Sequence, residues 1–160
     1  MGGMTIWTLV LFIHLLAIAA WLGGMLFLGA VVVPSVRAHG GLRASRPLVT
    51  AVARRFGVIG GLAWVVILVT GLLMVQHRGG FDAISGTDYG RKIMEKLGLL
   101  VLAGVAVLVH SLWQGPRLRR AEEAGDEAAV ARWRRMRGVL DTIVLLATLA
   151  ALYLGASLSM

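Results

Sequence analysis

The sequence predicts an all-α fold, an integral membrane protein built as an antiparallel four-helix bundle. Three observations predict it. Four long apolar runs cover about 6–33, 56–75, 97–113 and 139–158 of the 160 residues. Hydrophobic residues make up 58% of the chain, with mean hydropathy +0.83, where a soluble domain has about 45–50%. Small residues also recur at helix-packing spacing: Ala20 and Gly24, Gly57 and Gly61, and Ala147, Ala151 and Gly155. In lipid such spacings let helix backbones approach closely. One four-span domain over 1–160 is expected, because no linker is long enough to separate two.

Each run is read as a helix because hydrocarbon offers backbone groups no water to bond. About 20 apolar residues cross that layer, with a range of about 17–25. The first run is longer, which predicts tilt or extension past the bilayer. No charged side chain precedes it, and it exceeds the h-region of a cleaved signal peptide, so it reads as a span. Pro34 is expected to end it or to fall in its last turn, since an interior proline breaks the hydrogen-bond ladder. "HRGGFDAISGTDYG" reads as an ordered loop between the second and third runs. "RRAEEAGDEAAVARWRRM" reads as a short helix outside the membrane, by its Ala, Glu and Arg content.

The charges give an orientation. The first loop carries Arg37, Arg43, Arg46, Arg54 and Arg55, and the third carries Arg117, Arg119, Arg120, Arg132, Arg134, Arg135 and Arg137. The second loop and its flanks hold Arg78, Arg91, Lys92 and Lys96. The positive-inside rule then places loops one and three in the cytoplasm and both termini outside. Trp7, Trp113 and Trp133 fall where an aromatic belt would lie. In so apolar a chain the arginines read as topology signals and as partners of anionic lipid on the cytoplasmic face, and no nucleic acid is expected. With no cysteine, thiolate metal sites, iron–sulfur clusters and disulfides are excluded.

The polar residues inside these runs are the candidate functional groups. His14 lies roughly 8 Å from the midplane at 1.5 Å per residue. Its face continues through Ala17, Trp21, Gly24 and Leu28, and it is expected to point into the bundle, with Thr70 and Lys96 the polar groups nearest in depth. Lys96, Ala103 and His110 recur every seven residues and share a face of the third helix. Asp141 is expected within hydrogen-bond reach of His110 or beside Arg137. Thr70, Met74 and His77 share the outer end of the second helix, and Met94 opens the third. Thioether and neutral imidazole suit copper, the sulfur favouring Cu(I). By depth, His14 and His110 lie roughly 15 Å apart along the membrane normal, too far to share one haem iron. A haem held by a single histidine stays open.

Two stretches carry a resemblance. "RRFGVIGGLAWVVILVTGLLM" (54–74) and "TDYGRKIMEKLGLLVLAGVAVL" (87–108) look like the copper resistance protein D (CopD) domain. His14, Trp21, Gly23 and Gly24 also resemble that superfamily's first helix. More distantly, the His-bearing first helix and the Lys…His third helix resemble HemJ-type protoporphyrinogen oxidases. The first resemblance implies a prokaryotic cytoplasmic-membrane protein of copper uptake or tolerance; joined to the donor chemistry above, it gives the leading expectation, a protein that binds or transports copper, with His14, Met74, His77 and Met94 as the metal site and Lys96 and His110 on an interior face. The second implies a haem b redox protein or oxidoreductase with His14 or His110 as axial ligand. A structural subunit of a larger membrane complex, or of a homo-oligomer, is the third reading. No catalytic residue is named by any of them.

Overall fold

The computed structural model describes residues 5–38 and 46–157, together with the side chains of all of these except Arg37 and residues 46–50. Among the described residues all regular structure is helical. Helix α1 spans Ile6–Phe27, a wider π-helical turn follows at Leu28–Val32, and α2 covers Val33–Ala38. Helices α3 (Arg46–His77) and α4 (Gly80–Ile84) come next, then α5 (Asp88–Leu108), a second π-helical segment at Val109–Gln114, α6 (Gly115–Glu123) and α7 (Glu127–Ser157). Among the described residues four continuous apolar rods are long enough to cross a membrane: Ile6–Val36, Ala51–His77, Asp88–Glu123 and Glu127–Ser157. Leu9, Phe12, Leu16, Val58, Leu62, Val105, Leu112, Leu146 and Tyr153 stand exposed along them, a surface stable only against lipid. The chain is an all-α integral membrane protein.

It divides into two compact units, Met1–Ala83 and Ile84–Met160. In the first, α1 packs antiparallel on α3. The ring of Trp7 stacks on that of His77, His14 meets Thr70, and a Cβ on Gly60 would lie 3.4 Å from Trp21. At the far end a Cβ on Gly24 would collide with the Phe56 ring. His14, Ala17 and Trp21 are the buried stripe of α1, facing Ala63, Ile67 and Thr70, which are buried on α3. In the second unit α5 and its continuation run antiparallel to α7. The amine of Lys96 lies by Gly155, His110 by Asp141, and Gln114 by Trp133. Ala103, Gly104 and Ala106 are buried on α5, with Val144 and Ala147 on α7.

Three expectations are corrected. The helix does not stop at Pro34: the rod continues to Val36 and beyond. Proline lacks the N–H and its ring clashes with the carbonyl four residues back, here Ala30, and the wider turn at Leu28–Val32 relieves that clash. Pro116 has the same relation to Leu112 inside Val109–Gln114. The Arg/Glu-rich stretch is not a separate short helix. It forms the ends of α6 and α7 around a turn at Gly125, whose φ of +68° is a left-handed conformation that suits glycine. Asp126 begins α7 by accepting from the Ala129 N–H at 2.9 Å. Finally, Gly57 and Gly61 meet no neighbouring atom within 4 Å among the described residues, so of the four glycines in the small-residue set Gly24 and Gly155 make the close approaches.

Candidate functional site

The motif "TDYG" is explained by local structure. Thr87 is the N-cap of α5, its hydroxyl accepting from the Gly90 N–H at 2.9 Å and donating to the Ile84 carbonyl at 2.6 Å. A Cβ on Gly90 would collide with that same carbonyl. The motif therefore fixes how the third span begins.

His14 is only 4% exposed although it sits within an apolar span. Its Nδ1 lies 2.8 Å from Thr70 Oγ1. The Thr70 hydroxyl is 2.5 Å from the Val66 carbonyl and 3.3 Å from that of Ile67. A hydroxyl has one proton, and this one is donated to the α3 backbone, so Thr70 accepts from His14 Nδ1–H. That tautomer puts the imidazole lone pair on Nε2, the form in which a histidine binds metal. Gly71 leaves room beside the ring, since a Cβ there would sit 3.6 Å from His14 Cε1.

Outward from Thr70 on α3, Met74 is half-buried and His77 exposed. His77 stacks on Trp7 with centroids 3.7 Å apart and planes inclined 14°. Stacking fixes the ring plane and leaves its nitrogens at the edge. Met94 belongs to the second unit and is 54% exposed near the start of α5. Among the described residues no three His, Cys, Asp or Glu side chains come together. The soft donors on this side are imidazole and thioether.

In the second unit, Lys96 and His110 occupy separate surroundings. Fourteen residues of helix put them roughly 21 Å apart. Lys96 is half-buried, and its Nζ would lie 2.9 Å from a Cβ on Gly155. No carboxylate of the described residues lies within ion-pair distance of it. His110 Nδ1 is 3.2 Å from Gln114 Oε1 and 3.8 Å from Asp141 Oδ1. Asp141 Oδ2 is 3.8 Å from Arg137 Nε. Asp141 is thus an ion-pair neighbour of both, beyond hydrogen-bond length, and the group that accepts from His110 is Gln114. The sequence reading missed Gln114, which at 1% exposure is the most deeply buried polar side chain described. Its amide nitrogen donates to the Trp133 carbonyl at 2.8 Å.

Comparison with known proteins gives a family and a relative. The family model for copper resistance protein D matches residues 50–156. An uncharacterized protein of Aquifex aeolicus (strain VF5) is 30% identical over 149 residues, covering 92% of this chain and 91% of its own length. No solved structure matches the chain. The matched segment takes in α3 through almost all of α7, and with it Thr70, Met74, His77, Lys96, His110 and Gln114, so that the chain belongs to the copper resistance protein D (CopD) family.

Proposed function

We propose that this CopD-family membrane protein binds copper(I) as its cargo in the first unit, along a line of donors from His77 through Met74 to His14. The observation that carries the reading is His14: a buried imidazole whose Nδ1–H is committed to Thr70, so that Nε2 is the ligating nitrogen. Met74 and Thr70 are one turn apart on α3, about 6 Å of rise, and His77 stands about 4.5 Å beyond Met74. Thioether and imidazole are donors a soft, low-coordinate cation accepts, and hard cations do not. The basic loops support a topology with both termini outside a prokaryotic cytoplasmic membrane, which would make the His77 end the entrance.

Purified protein loaded anaerobically with Cu(I) in lipid nanodiscs tests this. Wild-type protein is expected to retain copper through gel filtration, and His14→Ala to lose most of it while keeping its helical circular dichroism. Copper retention equal to wild type in His14→Ala would return His14 to a packing role. A Soret band in the protein as isolated, lost in His14→Ala, would establish the haem reading instead.

A further inference from the structure

The second unit repeats the arrangement that holds His14, with different residues. His110 lies in the π-helical segment Val109–Gln114, and its Nδ1 faces Gln114 Oε1 at 3.2 Å. The amide cannot be turned round, because its NH2 group donates to the Trp133 carbonyl at 2.8 Å, where a carbonyl oxygen would be repelled. Oε1 is therefore the atom facing the imidazole. An amide oxygen only accepts, so Nδ1 carries the proton and Nε2 holds the lone pair. In the first unit the chain of bonds is imidazole, Thr70 hydroxyl, Val66 carbonyl. In the second it is imidazole, Gln114 amide, Trp133 carbonyl. Each histidine is tied through one side chain to a backbone carbonyl, and each offers Nε2.

A deeply buried glutamine in a membrane span is costly unless its hydrogen bonds are made, and histidine–metal sites characteristically fix the ring through an acceptor at the opposite nitrogen. We infer that His110 is a second copper(I)-binding position, in the second unit, with Gln114 as the positioning residue that holds its tautomer. Asp141, on α7, supplies a negative charge 3.8 Å from the ring that offsets an added cation, and Arg137 limits that effect from the far side of the carboxylate. The inference rests on the copper reading of the first unit for its choice of ligand. The assignment of the tautomer does not.

Two measurements on the full chain in nanodiscs test it. Nitrogen-15 NMR of labelled histidine is expected to show the His110 proton on Nδ1 in wild type and to move toward Nε2–H in Gln114→Leu, a shift that a merely structural glutamine would not cause. Anaerobic Cu(I) titration against a chelating competitor is expected to show one bound equivalent fewer in His110→Ala than in wild type. Gln114→Leu should keep that equivalent but weaken it about 10–100-fold. An Nε2–H tautomer for wild-type His110, or unchanged copper stoichiometry in His110→Ala, overturns the inference while leaving the first site standing. Wild-type protein that binds no copper at all defeats both.

Discussion

His14 and Thr70 are a pair in which each residue explains the other. An imidazole buried in hydrocarbon needs an acceptor for its N–H, and a threonine in mid-helix can bond back to the carbonyl four residues earlier and still accept. Replacing Thr70 by valine keeps the shape and removes the acceptor. The expected cost is about 1–3 kcal/mol of stability, the penalty for leaving a buried donor unsatisfied, read as a lower midpoint of thermal unfolding in detergent. Thr70→Ser should retain most of the stability, and equal loss in both variants would show that the methyl packing matters and the hydroxyl does not. His14 was legible in the sequence because an ionisable residue in an apolar run stands out, and its spacing of seven from Trp21 gave its face. Gln114 was not legible. It sits between a tryptophan and a Gly–Pro pair, where a polar residue reads as the end of a span, and the carbonyl it bonds belongs to Trp133, 19 residues away across a turn.

The tightest approach of α1 to α3 is at Gly24. Gly24 lies against the Phe56 ring, whereas the adjacent Gly23 has nothing within 4 Å among the described residues. Gly24→Val should therefore destabilise the first unit by roughly 1–3 kcal/mol, the usual cost of forcing volume into a packed contact, and Gly23→Val should unfold close to wild type. If the two variants unfold alike, the α1–α3 register described here is wrong. Helix existence was readable from length and hydropathy, since lipid permits little else. Continuation past Pro34 was not, because the proline rule holds for an ideal ladder, and a single wider turn escapes it. The short helix Gly80–Ile84 was likewise hidden in a stretch whose Gly, Asp and Ser content suggested only a loop.

At the scale of the whole molecule, four membrane-spanning rods group into two helix pairs, each carrying one histidine anchored to a backbone carbonyl. The number of spans was legible in the apolar runs. The division into two units was not, because it follows from which helices share tertiary contacts. The asymmetry of basic residues predicts that an alkaline phosphatase fused after residue 160 is active, and a fusion reporter that functions only in the cytoplasm would reverse the topology. The family is one of copper resistance proteins, and copper bound in the first unit would take His14 and Met74 as ligands. X-ray absorption at the copper edge of Cu(I)-loaded protein, carried out on the His110→Ala background to isolate the first unit, tests it most directly. The expected spectrum holds imidazole nitrogen and one sulfur shell, with the sulfur lost in Met74→Leu and the imidazole scattering reduced in His14→Ala. A copper environment of oxygen alone, or one that neither substitution changes, would contradict it.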